Sequence, residues 1–186
     1  MAEPEGPLVL PGEYQVRLSV GEQTYARPLR VELDPRVHVA DSALVAQLRL
    51  ALDIWNAMAE QHALEGSLRS VRDQTRALTG AGRTLERATR GSVTALERQA
   101  DSLARVVGSA GGELAGLETV VASADREPTG QAREVFTGLR ERVAGAARRW
   151  QQLLAVDLPA VNARLRRQGA PAVQVPAQRP ESLDRP

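Results

Sequence analysis

The sequence predicts a mainly helical protein, in which an N-terminal β-hairpin precedes an antiparallel three-helix bundle or a long helical hairpin. Three observations predict this fold class. Apolar and polar residues alternate over residues 12–36, as they do in a sheet with one solvated face. After residue 40, apolar residues recur at three- and four-residue steps in long segments, which is the period of an amphipathic helix. Short connections between those segments favour antiparallel neighbours.

The hairpin is predicted from two alternating segments on either side of Gly21-Glu22. A glycine at the first central position suits a two-residue turn of type II′ or I′. Pro28 has no N–H to donate, so the second strand needs a free edge or a bulge there. Two strands alone make no sheet domain, and the hairpin therefore resembles the end of a β-domain whose remaining strands lie elsewhere. One face of the hairpin is predicted to be apolar: Tyr14, Val16, Leu18 and Val20 from the first strand, and Tyr25, Leu29, Val31 and Leu33 from the second.

Asp34-Pro35 ends the second strand, and we expect the first helix over about residues 42–78, with Asp41 or Ser42 as its N-cap. The segment Thr79–Gly82 is rich in glycine and predicts a stop. A second helix is expected over 83–107, with an interruption at 108–112 and a shorter helical segment at 113–124.

The third helix is expected to follow the loop 125–129, with Pro128 as a candidate first residue, since its missing N–H costs nothing there. The sequence Asp157-Leu158-Pro159 predicts a kink or the start of a short last helix that closes at Gly169. Residues 170–186 are rich in proline and are predicted to be a disordered or loosely docked tail. The domain organisation is thus a hairpin segment over 1–36, a helical bundle over 37–169 and a tail over 170–186.

Composition argues against several classes of function. The net charge is +1, and the 24 basic residues nearly balance the 23 acidic ones, so the chain lacks the charge of a nucleic-acid-binding protein. It has no cysteine, which excludes disulfides and thiolate chemistry. No stretch approaches the length of a membrane span, and no signal peptide follows Met1, so the chain as written is expected to be cytoplasmic. We expect no cofactor.

Two segments carry a resemblance to a known family. The first is Pro11-Gly12-Glu13-Tyr14-Gln15-Val16-Arg17-Leu18, followed by Pro28-Leu29-Arg30-Val31 and Asp34-Pro35-Arg36. The second is Ser123–Thr129, followed by Asp157–Leu165. Together they resemble the C-terminal region of bacterial sialidase-like, or sortilin-type, β-propeller proteins, which carry neuraminidase (BNR) repeats and are labelled glycosyl hydrolases by similarity.

This resemblance implies that the hairpin is the remnant of an immunoglobulin-like sandwich and that the helices are the segment that follows it. Proteins of this family are often exported. The propeller itself is absent from this chain, and no repeat of the Ser-x-Asp-x-Gly-x-x-Trp type occurs. The hydrolase activity that the family name implies therefore has no residues here on which to act.

Candidate chemical groups are better explained as structural or solvated residues. The carboxylate pairs Glu60/Glu65 and Glu113/Glu118 lie on predicted solvated faces, where exposed carboxylates are the rule. His38 and His62 lack the further ligands that a metal site needs. The glycine-rich segment at 108 does not follow a strand, unlike a phosphate loop. Trp55 and Trp150 suit a core better than a sugar platform, and the distal arginines are expected to be solvated: Arg148, Arg149, Arg164, Arg166 and Arg167.

The sequence therefore predicts a non-catalytic accessory or interaction module that binds protein, through self-association or through a β-domain or propeller outside the chain. Two alternatives remain open: a part of a propeller-type hydrolase whose active site is elsewhere, and a free-standing helical-bundle (coiled-coil) adaptor. The candidate interaction surface includes the apolar strand face, because an uncovered edge beside such a face favours association. Its residues are Tyr14, Val16, Leu18, Leu29, Val31, Leu33 and Trp55.

Overall fold

A computed structural model describes residues 6–80 and 85–176 of the chain, and it has the predicted fold class. Two antiparallel strands precede a helical bundle of three long helices and one short one. A π-helical turn, Leu153–Asp157, joins the last two helices. The elements are β1 (Gly12–Val20), β2 (Gln23–Val31), α1 (Asp41–Thr79), α2 (Arg87–Ala122), α3 (Gly130–Gln152) and α4 (Leu158–Arg167).

The hairpin has the predicted register and turn. Val20 pairs with Gln23 across the turn, and the pairing continues without a bulge to Gly12 and Val31. Gly21 has a φ of 61°, and no non-glycine residue in the described part of the chain has a positive φ. Because a type I′ turn requires a positive φ at both central residues, the turn is of type II′.

The bundle contains two hydrophobic clusters, one towards each end. The cluster nearer the hairpin joins the first part of α1 to the last part of α2 and the first part of α3, with Ile54 and Leu114 fully buried. The other joins the last part of α1 to the first part of α2, to Trp150 at the end of α3, and to α4. Consecutive helices are therefore antiparallel, α1 with α2 and α2 with α3. Helix α1 is about 58 Å long at 1.5 Å per residue.

The predicted interruption of the second helix at 108–112 is wrong, because α2 continues through this glycine-rich segment to Ala122. The small residues lie where α1 and α2 approach closely, between the two clusters. Ala110 is fully buried, and a Cβ on Gly111 would lie 2.7 Å from the side-chain Cδ of Gln61 on α1. Tertiary packing therefore overrides the low helix propensity of glycine here. The predicted start of this helix at 83 lies outside the described residues.

Adjacent glycines in α2 provide a matched test of this close approach. Gly112→Ala is expected to raise the free energy of unfolding by about 1 kcal/mol, because no neighbouring atom lies within 4 Å of the added Cβ. Gly111→Ala gains the same propensity but must displace Gln61, whose side chain is buried and donates to Glu65. We expect no net gain from it. Thermal unfolding of both variants measures the difference, and an equal gain in stability would contradict the close contact.

Both predicted helix starts differ from the structure. The N-cap of α1 is Ala40, whose side chain makes no capping hydrogen bond. Asp41 lies in the first turn instead, where its negative charge interacts favourably with the positive end of the helix dipole. Pro128 precedes α3 rather than opening it. Thr129 is the N-cap instead, and its hydroxyl accepts a hydrogen bond from the backbone N–H of Ala132 at 3.1 Å.

Pro159 explains the turn between α3 and α4. In a continuous α-helix its ring would clash with the carbonyl four residues earlier, and one hydrogen bond would be lost. The chain instead widens to a π-helical turn, in which the N–H of Leu158 donates to the carbonyl of Leu153. Helix α4 ends at Arg167, and the chain turns away from it at the predicted residue, Gly169, which has a φ of 63°. The N–H of Ala170 returns to the carbonyl of Leu165 at 3.0 Å, as in a Schellman motif.

The first part of the tail docks on the bundle. Ala170 and Val173 are buried in the cluster that contains Trp150. The side chain of Asn162 donates to the carbonyl of Val173 and accepts from its N–H, at 2.9 and 2.8 Å. Gln74 on α1 makes the same pair of bonds with Gln174. Residues 170–176 therefore pack against the helices, and residues 177–186 lie outside the described part.

Candidate interaction surface

The hairpin projects away from the bundle. Every residue from Pro11 to Arg30 is exposed, and within the described residues neither strand packs extensively against a helix. The two hydrophobic clusters contain no residue from either strand. The helices therefore leave the apolar face of the hairpin uncovered. Its large apolar side chains are 38–60% exposed: Tyr14, Val16, Leu18, Val20, Tyr25 and Leu29.

Cross-strand pairing places these side chains on one face, as the alternation predicts. Tyr14 lies opposite Leu29, and Leu18 lies opposite Tyr25. Val16 lies opposite Arg27, so one cation interrupts the apolar face near its centre. Six half-exposed side chains of this size give an apolar patch on the order of 500 Å², which is large for a monomer and typical of an association site.

The opposite face is polar. Glu13 and Arg30 face each other across the strands at 3.6 Å, and Arg30 also contacts Glu32 at 2.9 Å. Near the turn, the hydroxyls of Ser19 and Thr24 are 3.2 Å apart. All of these groups are exposed, so each contributes little to stability. These charged and hydroxyl groups make this face the solvated one of the two.

The two outer edges of the hairpin are not equivalent. In a hairpin with a two-residue turn, the pair next to the turn, Val20 and Gln23, is hydrogen-bonded, and the pairs then alternate. The pair Gln15–Pro28 is therefore a non-hydrogen-bonded one, and its backbone groups face outward. Pro28 leaves a gap among the donors along the outer edge of β2, so of the two options from the sequence the free edge is correct. The outer edge of β1 has an N–H at every outward position: Glu13, Gln15, Arg17 and Ser19.

An apolar cleft lies at the base of the hairpin. Its volume is about 220 Å³, and the chain that enters β1 and the chain that leaves β2 line it together with the ends of α1 and α2. Val31 and Leu33 belong to this cleft, with Leu44 and Val121 on the helical side. These two hairpin residues are accordingly half-buried, whereas those nearer the turn are exposed.

The turn that follows β2 is held by its own side chains. The carboxylate of Asp34 accepts hydrogen bonds from the backbone N–H of Arg36 at 2.9 Å and from its guanidinium at 2.6 Å. The guanidinium bond and, after it, the backbone bond lower the pKa of Asp34, and the guanidinium bond raises the pKa of Arg36. The N–H of Val37 also donates to the carbonyl of Asp34 at 2.8 Å. The arrangement fixes the direction in which the chain leaves the hairpin for α1.

Trp55 does not join the other predicted surface residues. It lies on α1 about 17 Å beyond Leu44, measured along the helix axis, and does not line the cleft. Its ring is half-buried, and its indole Nε1 is buried without a partner in the described part of the chain. The helical stripe that contains Trp55 was visible in the sequence, but its distance from the hairpin depends on the direction in which the hairpin projects.

The other candidate groups occupy surface positions. Glu113 accepts from Arg142 at 2.8 Å and from Ser109 at 2.9 Å, and both bonds lower its pKa. Glu65 accepts from Gln61 and Arg69. His38 and His62 are exposed. Among residues 6–80 and 85–176, no group of three or more His, Cys, Asp or Glu side chains is placed to hold a metal ion.

Comparison with protein-family models, with curated proteins and with solved structures gives no match for this chain. In the described residues, no helix combines the length and the apolar composition that a membrane crossing requires.

Proposed function

We propose that this chain is a non-catalytic accessory module that associates with other β-structure through the apolar face of its hairpin. The observation that carries the proposal is the uncovered face of Tyr14, Leu18, Tyr25 and their neighbours, each at least one-third exposed. A two-stranded sheet is marginal by itself, and burying this face on a second layer or added strands would stabilise it.

Packing within the bundle supports the same role. The helices have their own two clusters, which involve no strand residue, so the hairpin is an appended element rather than part of the core. The cleft and the Asp34–Arg36 turn hold only its base. The resemblance to the C-terminal region of sialidase-like propeller proteins suggests that a β-domain outside the chain covers this face. Another copy of the chain is the second candidate.

A charge placed on the apolar face tests the proposal. We expect the wild-type chain to self-associate at micromolar concentration and to dissociate on dilution. Leu18→Glu places a carboxylate in the middle of the face, where its burial would be costly, and is expected to weaken association at least tenfold. Light scattering coupled to size-exclusion chromatography over a wide dilution range measures this.

Val120→Glu is the matched control. Val120 lies on α2 and is 55% exposed, close to the 59% of Leu18, but it is not part of the hairpin. This variant should associate as the wild type does. A wild-type chain that stays monomeric at every concentration while its strand side chains remain solvent-exposed would contradict self-association, and equal weakening by both variants would contradict the hairpin face as its site.

A further inference from the structure

The backbone of the hairpin indicates which edge receives added β-structure. Along the outer edge of β1, residues 13, 15, 17 and 19 present N–H and C=O groups without interruption, whereas the outer edge of β2 is interrupted at Pro28. All four β1 residues are exposed, and within residues 6–80 and 85–176 no other strand pairs with this edge. A strand with such an edge is a template for another strand, and proline is a common means of preventing this at the other edge.

We propose that the β1 edge pairs with the β1 edge of a second copy of this chain, antiparallel, to form a four-stranded sheet in the order β2-β1-β1′-β2′. This inference rests on the self-association in the proposed function and adds a contact between strand edges, which leaves the joined apolar faces free to pack on a further layer. Joining two hairpins gives the number of strands that a sheet with an apolar face needs for independent stability. It also leaves the proline-containing strands at the outside, where a missing donor costs nothing.

Charge complementarity along β1 selects the register. A two-fold axis through Gln15 places Glu13 of each copy opposite Arg17 of the other, so two ion pairs form across the new interface. An axis through Arg17 or Glu13 would instead place like charges together, which is destabilising in directly opposed pairs. Glu13 already faces Arg30 within its own hairpin. The pairing therefore continues a row of alternating charge over the polar face.

The same register also pairs the outward backbone groups of the two strands and places the two apolar faces on the same side of the sheet. With the axis at Gln15, the outward-facing residues of each copy meet as hydrogen-bonded pairs, which their orientation requires. Tyr14 then lies opposite Val16 of the other copy as a non-hydrogen-bonded pair, in which side chains approach most closely. Since paired residues share a face, the apolar sides of the two hairpins become one continuous surface.

Proline substitutions test which edge pairs. Gln15→Pro removes an outward N–H at the centre of the proposed interface, and we expect it to raise the dimer dissociation constant at least tenfold. Ala26→Pro removes an outward N–H on β2, directly across from Arg17, and should leave the constant unchanged. Neither substitution removes a hydrogen bond within the hairpin. Nuclear Overhauser contacts between paired strand residues, such as Leu18 and Tyr25, confirm that each variant keeps the hairpin. Sedimentation equilibrium gives the constants, and equal effects of the two variants would overturn the proposal.

A charge reversal tests the second copy as the occupant. Arg17→Glu would place carboxylates opposite Glu13 in both symmetric pairs and is expected to weaken the dimer about tenfold. The variant that combines Glu13→Arg and Arg17→Glu with Arg30→Glu restores opposite charges both between two copies of the chain and across the hairpin, where Glu13 faces Arg30, and it should recover wild-type affinity. Failure of this recovery would show that the dimer uses another register or surface.

The outcomes separate this inference from the proposed function. Association that is lost in Leu18→Glu but persists in Gln15→Pro would retain the apolar face as the site and overturn edge pairing. A wild-type chain that is monomeric at every dilution would overturn both the edge dimer and self-association.

Discussion

Replacement of Trp150 by alanine is expected to lower the free energy of unfolding by about 3–5 kcal/mol. The indole is 1% exposed and belongs to the cluster that joins α1, α2, α3 and α4 to the docked tail. Deleting it removes the largest of the fully buried side chains and leaves a cavity where five segments meet. The surrounding helices cannot all close on that space, so both the transfer term and the cavity term apply. Urea unfolding followed by circular dichroism measures the loss.

Trp150→Phe separates packing from hydrogen bonding. The Nε1 of Trp150 is buried and has no partner in the described part of the chain, so phenylalanine loses no hydrogen bond. We expect this variant to lose less than half as much stability as Trp150→Ala. Trp55→Ala provides a second comparison, because Trp55 is only half-buried. A loss below about 1 kcal/mol for Trp150→Ala would contradict the assignment of this cluster as the main core.

The fold class and the hairpin could be predicted because their signals are local. Alternation with period two fixes which strand residues share a face, and Gly21 fixes a two-residue turn. The register in the structure follows from these two features alone. The long helices were equally predictable from apolar residues at three- and four-residue steps. The sequence also predicted the closure of α4 at Gly169, where a positive φ is needed.

The path of α2 could not be predicted, because it depends on a distant contact. Gly108–Gly112 lowers helix propensity in any local estimate. What keeps the segment helical is the neighbouring α1, whose Gln61 side chain occupies the space that a Cβ at Gly111 would need. The small residues therefore indicate a close approach of two helices here and not a helix break. The neighbouring sequence alone does not distinguish a close approach from a break.

The candidate surface was only partly predictable for a similar reason. The strand residues form one face because of their spacing, and this part needs no tertiary information. Whether Trp55 joins that face depends instead on how the hairpin is oriented relative to α1, which local sequence patterns do not determine. The difference between the two outer edges could be predicted from the sequence, because the distance of Pro28 from the turn places its missing N–H on the outer edge of β2.

Replacement of Asn162 by leucine is expected to cost about 2–4 kcal/mol and to undock the tail. Both polar ends of the Asn162 side chain bond to the backbone of Val173, which is 2% exposed. Leucine has a similar volume, so the helix face would remain filled, but one buried N–H and one buried C=O would lose their partners. Each unsatisfied group costs about 1–3 kcal/mol, which is why the tail would leave rather than remain docked without these bonds.

Gln74→Ala is the appropriate control, since Gln74 makes the same pair of bonds with Gln174, which is exposed. Water can replace those bonds, so this variant should lose less than about 1 kcal/mol. Hydrogen exchange at the N–H of Val173 reports on docking directly, and unfolding in urea reports on the whole bundle. If Asn162→Leu leaves Val173 protected, the amide does not hold the tail, and burial of Val173 and Ala170 must be sufficient. If protection is lost while the α1 and α2 core stays protected, the segment docks as a separate unit whose attachment depends on one buried asparagine.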